Sequence, residues 1–528
     1  MPTTYLTPGV YVEEVASASK PIEGVGTAVA AFVGLAPYGP LNTPIRLSNW
    51  SQFVREFSDP KIKDSTPFME GAYLAHSVYG FFQNGGGVCW VVRVGNETDT
   101  PAAIAALPAA HDKTVEAARA VALNGISDPV KVDISEEPAP GGGEVKEGGD
   151  AKDASPPEPT YKLTVSAGGA HEEYRGLTLR KGRSNIATKV NGASQLINIT
   201  ETAAALPEAR IATGSYTLAP PAVTTQAVVA GDLQGDVATR KGMGGLAAID
   251  EVTMVLMPDA MNLNGDGKQL LDVQTKMIDH CESHGDRMAI LDAPRDLKPQ
   301  EVLEWRMNIA RYDSKMAGLY WPWLEVMDPL TKLPIMVPPS GHVAGVWARV
   351  DGTRGVFKAP ANEVVRGAIG LDFQITPAEQ GELNQNGINC IRAFSGRGIR
   401  IWGARTLSSD PEWRYINVRR LFNYVAESIM EGTQWSVFEP NDSQLWMRLR
   451  AAVSAFLKRT WSSGALFGAT EAEAFYVKCD AETNPPEVIE AGQVVCEVGI
   501  APVKPAEFVI FRLSQFVDGG DGGGEGGE

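Results

Sequence analysis

This sequence predicts a multidomain α/β (α+β) protein, on three observations. Strand-like and amphipathic helical runs alternate between Val252 and Tyr320, the order that builds βαβ units and a mostly parallel sheet. The first hundred residues mix helical patterns with the dense strand-like run Val88–Val94. Residues 96–240 then change texture to short strand-like runs among turn residues, which reads as a β-rich insertion. At 528 residues the chain exceeds one core, so two to four domains are expected.

Taken in order, residues 1–20 are extended in character and offer little to a core beyond Tyr5, Val10, Tyr11, Val12 and Val15. Tyr11–Val15 is too short to be a stable strand alone and needs a sheet edge to join, in its own molecule or another. Gly24–Gly34 is small and apolar, as a buried strand would be, and Ala36-Pro-Tyr-Gly-Pro40 ends it in a turn. Ser48 and Asn49 offer caps to a helix reaching Phe57, and Phe68–Phe82 reads as a second helix that Gly85–Gly87 breaks. Pro101–Ala122 is alanine-rich, and Asp133–Pro159 is so polar that it reads as a disordered surface loop. Tyr161–Val165, Glu173–Leu179 and Ser215–Leu218 read as short strands.

Val252–Met257 opens the larger domain. A helix over about Gly267–His284, a strand Met288–Leu291, a helix Pro299–Arg311 and a strand Ala317–Tyr320 follow it. Ile391–Phe394 and Ile399–Trp402 flank Ser395-Gly-Arg-Gly398, a hairpin whose loop glycines can take positive φ. Two helices, Tyr415–Glu431 and Ser443–Trp461, precede closing strands at Phe475–Cys479, Val494–Ile500 and Phe508–Leu513. Asp518–Glu528 is glycine and acid only and reads as a solvated tail.

Composition narrows the function. With 47 basic against 64 acidic side chains the net charge is −17, which argues against nucleic acid as a partner. No apolar run is long enough to cross a bilayer, and Met1–Pro8 carries no basic-then-apolar signal. A soluble, cytoplasmically made chain without direct membrane insertion is therefore expected. The five cysteines (89, 281, 390, 479 and 496) are odd in number, spread out and mostly in apolar runs, and read as reduced core thiols.

No constellation carries chemistry. Asn262-Leu-Asn264-Gly-Asp266-Gly267 resembles the start of a calcium loop, but Val273 stands where its bidentate glutamate belongs. His280 and His284 have metal-ligand spacing, with Glu282 one place off the metalloprotease pattern. Gly24-Val-Gly26 lacks the third glycine of a dinucleotide loop, and neither a phosphate-binding loop nor a nucleophile elbow occurs. No catalytic residue, metal or cofactor is expected. Arg392, Arg397, Arg400 and Arg405 place a row of cations around the hairpin, which need carboxylate partners inside the chain or on a neighbour. On the helix 443–461, Arg448, Lys458 and Arg459 fall opposite an apolar arc of Leu445, Trp446, Leu449, Val453, Phe456 and Leu457, which by default is a solvated basic face.

The runs P-S-G-H-V-A-G-V-W-A-R-V-D (339–351), K-A-P-A-N-E-V-V-R-G-A (358–368) and G-I-N-C-I-R-A-F-S-G-R-G-I-R-I-W-G-A-R-T-L (387–407, continuing to Leu421) together resemble the C-terminal domain of contractile tail sheath proteins. P-G-V-Y-V-E-E-V (8–15), the run 21–40 and G-F-F-Q-N-G-G-G-V-C-W-V-V-R-V (80–94) resemble the same family, whereas 96–240 does not. The resemblance implies an arm at 1–20, a core from 21–95 and 241–504, an outer insertion at 96–240, a second arm at 505–517 and a tail at 518–528. It implies that Tyr11, Val12, Glu13 and Val15, with Phe508, Ile510, Phe511 and Leu513, add strands to neighbouring subunits. It also implies that Arg448, Lys458 and Arg459 face an acidic inner tube, and that the Arg392, Arg397, Arg400 and Arg405 row exchanges partners on contraction. The implied partners are copies of the chain in stacked six-subunit rings, an inner tube, a baseplate and terminator or cap proteins. The implied setting is a phage tail or tail-like particle assembled in the bacterial cytoplasm. The competing readings are an α/β enzyme and a non-contractile shell protein.

Overall fold

The computed structural model describes residues 21–60, 65–95, 104–110, 116–122, 129–137, 160–179, 182, 184–201, 210–218, 229–263 and 267–512. Its centre is a nine-stranded sheet of β1 (Val29–Gly34), β2 (Ile45–Leu47), β3 (Val88–Arg93), β4 (Met254–Leu256), β5 (Met288–Asp292), β6 (Ala317–Trp321), β7 (Glu363–Val364), β8 (Ile388–Phe394) and β9 (Gly398–Ile401), in the order 7-9-8-6-5-4-1-3-2. Strands 3, 1, 4, 5, 6 and 8 run parallel and the outer ones antiparallel. Alternate side chains serve two cores. Ala31, Val33, Val255 and Leu291 face one side, and Ala30, Phe32, Leu256 and Ile290 the other. The two-residue alternation of a strand buried on both faces produces this division.

The helices include α1 (Trp50–Phe57), α2 (Leu74–Gln83), α3 (Lys268–His284), α4 (Pro299–Glu304), α5 (Ser340–Arg354), α6 (Pro377–Gln385), α7 (Ile416–Gly432) and α8 (Ser443–Ser462), beside further short ones at 186–191, 230–234, 471–474 and 486–490. Val273, Met277 and Cys281 of α3 cover the first core, and α2 and α5 cover the second with Val78, Phe81, Val346 and Trp347. The helix expected from Phe68 starts only at Leu74, because Gly71 adopts φ +71° and the chain turns there. Helix α5 carries no helical signature, since its glycines read as breakers. They are instead what lets it approach α2: a Cβ on Gly345 would lie 2.4 Å from the Phe81 carbonyl oxygen.

Between β3 and β4 the chain forms two small antiparallel sheets. One joins 104–108, 116–122 and 197–201, and the other joins 214–217, 130–137, 160–167 and 170–177. They share a core of Val132, Ile134, Leu163, Ile197 and Ile211. Asp133–Glu137, read from sequence as the start of a disordered loop, is the second half of the strand Val130–Glu137. Val132 and Ile134 are buried and the strand pairs with Thr160–Ala167, so its alternation outweighs its charge.

Two buried carboxylates pin the ends of the sheet. Asp259 accepts hydrogen bonds from the Leu35 and Tyr73 amides at 2.7 and 2.5 Å, and burial raises its pKa to about 6. Asp292, at the end of β5, accepts from Ser340 N at 2.8 Å and Ser340 Oγ at 2.6 Å where α5 begins. Burial outweighs both bonds and raises its pKa to about 7, against 3.8 unperturbed. The folded state thus holds the proton more tightly than the unfolded chain. Its stabilisation is complete below about pH 4 and is lost as pH rises through about 7, at roughly 1.4 kcal/mol per unit. Relative to the Asp292→Asn variant, the unmodified chain should lose stability between pH 4 and 7 and level off above. Denaturant titrations at several pH values check this, and a constant difference would refute it.

Candidate assembly interface

Two strands close the structure, β10 (Phe475–Lys478) and β11 (Glu497–Ile500), paired antiparallel. They pack with α7 and α8 around Leu421, Val425, Val453, Phe456 and Leu457. The sheet has only these two strands among the described residues, and the chain at Leu466 and Phe467 continues the β10 side of the pairing past β11, at Ala501 and Pro502. The outer edge of β10 has no strand against it among the described residues, which leaves a template for an added one.

The N-terminal segment is rooted in the same helices. Ile22 is fully buried within this cluster, and its carbonyl oxygen accepts a hydrogen bond from the Arg459 guanidinium. Gly432 makes room for it, since a Cβ there would lie 2.7 Å from the Ile22 side chain. Val25 N donates to Ser428 Oγ at 3.1 Å, and Thr27 Oγ1 donates to Asp351 at 2.7 Å. Arg420 donates to the Thr27 carbonyl and to Asp351, both at 2.9 Å. The chain from 21 to 28 is therefore laced along α7 before it enters β1.

Glu507 forms the C-terminal root. Its carboxylate accepts from Arg405 Nε at 2.9 Å and Nη2 at 2.6 Å, from Asn384 Nδ2 at 2.6 Å and from Tyr415 Oη at 3.0 Å. Burial opposes ionisation, but the bonds from Arg405 and Asn384 outweigh it and hold the carboxyl below its usual range. Beyond this anchor Phe508, Val509, Ile510 and Phe511 stand out into solvent, 73%, 69%, 80% and 84% exposed. Sequence reading expected a strand at Phe508–Leu513. The described part, 508–512, is no strand, because no segment among the described residues pairs with it. Leu513 and the arm residues Tyr11, Val12, Glu13 and Val15 lie outside the described residues.

The hairpin arginines do not form one row. Arg392 and Arg400 sit directly opposite on β8 and β9 and are served by neutral acceptors, Gln380 Oε1 at 2.6 Å and Asn362 O at 2.8 Å. Arg397 lies in the turn between Gly396 and Gly398, both at positive φ, with its guanidinium over Phe394. Arg405 lies past the hairpin and is buried against Glu507, 102 positions away, a pairing no local pattern announces. The basic face of α8 divides as well. Arg448 pairs with Glu439 at 2.9 Å and lies over Trp435, Lys458 pairs with Glu471 at 2.5 Å, and Arg459, itself exposed, donates to the Ile22 carbonyl. Sequence reading missed Phe438, which is fully exposed with φ +67° between α7 and α8.

The rings of His280 and His284 lie with centroids 4.2 Å apart and planes tilted by 38°, and burial lowers the His280 pKa to about 3. Arg287 Nη1, 3.4 Å from His280 Nε2, fills the position beside that ring. Among the described residues no group of three His, Cys, Asp or Glu side chains could hold a metal ion, and no helix is long and apolar enough to cross a membrane.

Residues 237–407 match the phage tail sheath protein central domain and residues 408–516 the phage tail sheath C-terminal domain. The tail sheath protein of Burkholderia phage BcepMu is 25% identical over 525 residues, 96% of this chain and 95% of that protein. The sheath complex of an extracellular contractile injection system, PVC, in its contracted state is 25% identical with a TM-score of 0.58, over 98% of this chain and 99% of that one. The contracted helical sheath of the anti-feeding prophage shares the fold, with a TM-score of 0.56 at 24% identity over 97% of this chain and 100% of that one. This chain belongs to the contractile tail sheath family.

Proposed function

We propose that this chain is the sheath subunit of a phage tail or tail-like particle. Copies of it polymerise as a helix around an inner tube and contract to drive that tube through a target envelope. The observation that carries the reading is the placement of both arm roots. Ile22 is locked to the module bearing the open hairpin and Glu507 to Arg405, Asn384 and Tyr415, the last at the start of α7, while Phe508–Phe511 beyond it is apolar, exposed and without a partner among the described residues. A chain that carries both a short apolar segment and an open sheet edge, repeated in identical copies, suits head-to-tail strand exchange between subunits. An arm making about five backbone hydrogen bonds at ~0.5–1.5 kcal/mol each gains only a few kcal/mol before its ordering entropy is subtracted. A single arm is weak, but a lattice of arms tethers subunits while they rotate.

The further partners are a baseplate, a terminator or cap, and the inner tube, and the particle assembles in the bacterial cytoplasm. The role is structural rather than enzymatic, and contraction releases free energy stored in an extended lattice. Arg392, Arg397 and Arg400, which have no carboxylate partner among the described residues, are the cations free to change partners during that repacking.

Negative-stain electron microscopy of the purified chain tests the reading. Hollow tubes of uniform width should form and should be lost on deletion of residues 1–20 or 505–528. Tubes that persist without either arm would refute strand exchange. Arg448 and Lys458, each paired with one solvent-accessible glutamate, are the contacts for an acidic tube, and Arg459 supports the N-terminal root instead. Reversing both charges, as Arg448→Glu with Lys458→Glu, should cut co-purification with the tube protein at least tenfold at low salt, with a smaller difference at higher salt. Unchanged recovery would remove these residues from the tube surface.

A further inference from the structure

Four of the five cysteines are buried, and Cys496 is half-buried; all are free thiols. Two of them meet. Strands β10 and β11 pair Phe475 with Ile500 through Lys478 with Glu497. The next pair in that register is Cys479 with Cys496. Ala501 N donates to Ala474 O at 2.9 Å, which makes 474/501 a hydrogen-bonded pair. Hydrogen-bonded and non-hydrogen-bonded pairs alternate along an antiparallel ladder, so continuing the register one step past its last pair, Lys478/Glu497, puts Cys479 opposite Cys496 at a non-hydrogen-bonded position, where Cα atoms approach to about 4.5 Å. That spacing lies within the range a disulfide bridges, about 4.4–6.8 Å. Each thiol perturbs the titration of the other, as neighbouring groups do. Asn484, buried at 2% exposure, holds the intervening loop in place: it donates to Val495 O at 3.0 Å, accepts from Val495 N at 2.7 Å and touches Cys479 Sγ at 4.0 Å.

We propose that Cys479 and Cys496 form a cross-strand disulfide site at the end of the β10–β11 hairpin, oxidised by low-molecular-weight disulfides once the chain leaves a reducing compartment. Cys496, the more exposed of the two, attacks the oxidant as thiolate, forms a mixed disulfide and expels one thiol. The Cys479 thiolate then attacks the Cys496 sulfur and expels the second. One protein S–S bond forms and one oxidant S–S bond breaks. The two electrons pass to the oxidant, and the two protein thiol protons end on the two released thiols. Burial raises the Cys496 pKa to about 12, so exchange is slow at neutral pH and accelerates with alkalinity. The site is thus a staple set slowly rather than a fast switch. It joins the two strands whose open edge the assembly reading uses, but its chemistry does not depend on that reading.

The test uses the full chain, incubated folded with oxidised glutathione at pH 7 and pH 9, then denatured, alkylated and peptide-mapped. The expected result is loss of two of the five thiols, a mass decrease of about 2 Da, one cross-linked peptide joining 479 to 496, and a faster reaction at pH 9. Cys479→Ser should stop at a glutathione adduct on Cys496. Five thiols still present at both pH values, a stable adduct on Cys496 in the unmodified chain, or a bond to Cys89, Cys281 or Cys390 would each overturn the proposal. These outcomes are read on thiols, so they are distinct from failure to form tubes.

Discussion

Replacing Arg420 with alanine should destabilise the chain by about 3–5 kcal/mol, the cost of leaving a buried carboxylate without its cation. The Arg420 and Asp351 side chains are 4% and 3% exposed. The guanidinium holds Asp351, the Thr27 carbonyl and the face of the Trp347 ring, 4.7 Å from its centroid. One planar fork therefore joins α7, α5 and the segment leading from Ile22 into β1. Lysine cannot reproduce that fork, so Arg420→Lys should recover only part of the loss. The loss belongs to the orphaned charge, which a double substitution can show. Arg420→Met with Asp351→Leu removes both charges and should be markedly more stable than Arg420→Ala. Urea unfolding of the set decides it. A loss below about 1 kcal/mol for Arg420→Ala would mean that water reaches Asp351 and that the pair is not the tie described.

The elements read correctly from sequence are those whose signal is local. Val252–Met257, Met288–Leu291 and Ala317–Tyr320 are dense apolar runs between amphipathic helices, and each forms a parallel strand of the central sheet. The Ser395–Gly398 turn was legible because two glycines mark it, and both adopt positive φ. Helix α5 was not legible as a helix. The glycines at 341 and 345 carry a packing instruction against Ser77 and Phe81, which only the partner helix reveals. The assembly interface was legible in outline through the terminal segments, but its anchors were not. Arg405 and Glu507, Arg459 and Ile22, and Arg420 and Thr27 are pairs distant in sequence. Composition showed cations without showing where they go. Grouping Arg405 with the hairpin and Arg459 with the solvated face followed spacing, whereas burial against Glu507 assigns Arg405, and a hydrogen bond to the Ile22 carbonyl assigns the exposed Arg459, to the arm roots.

Those roots make Glu507→Ala the sharpest separation of folding from assembly. The substitution removes the acceptor of four hydrogen bonds and leaves the Arg405 guanidinium, 10% exposed, without its carboxylate. Both sheet cores and the α7–α8 cluster are untouched, so the loss of stability should be about 1–3 kcal/mol, less than for Arg420→Ala. Assembly should suffer far more. With the anchor gone, Phe508–Phe511 leaves the module without a fixed direction, and each arm pays more ordering entropy when it pairs. Tubes from Glu507→Ala should be absent or much shorter at protein concentrations where the unmodified chain forms them. The pH response gives an independent check. The folded pKa of Glu507 lies below its unfolded value, so the pair's contribution is present above about pH 4.5 and is lost as pH falls through the folded value. Glu507→Gln keeps the shape without the charge, so it should show the weakened root already at neutral pH and little further change on acidification. Glu507→Ala tubes as long and as numerous as those of the unmodified chain would show that the arm finds its neighbour without a fixed root. Flexible tethering alone, rather than an aimed strand, would then have to account for the lattice.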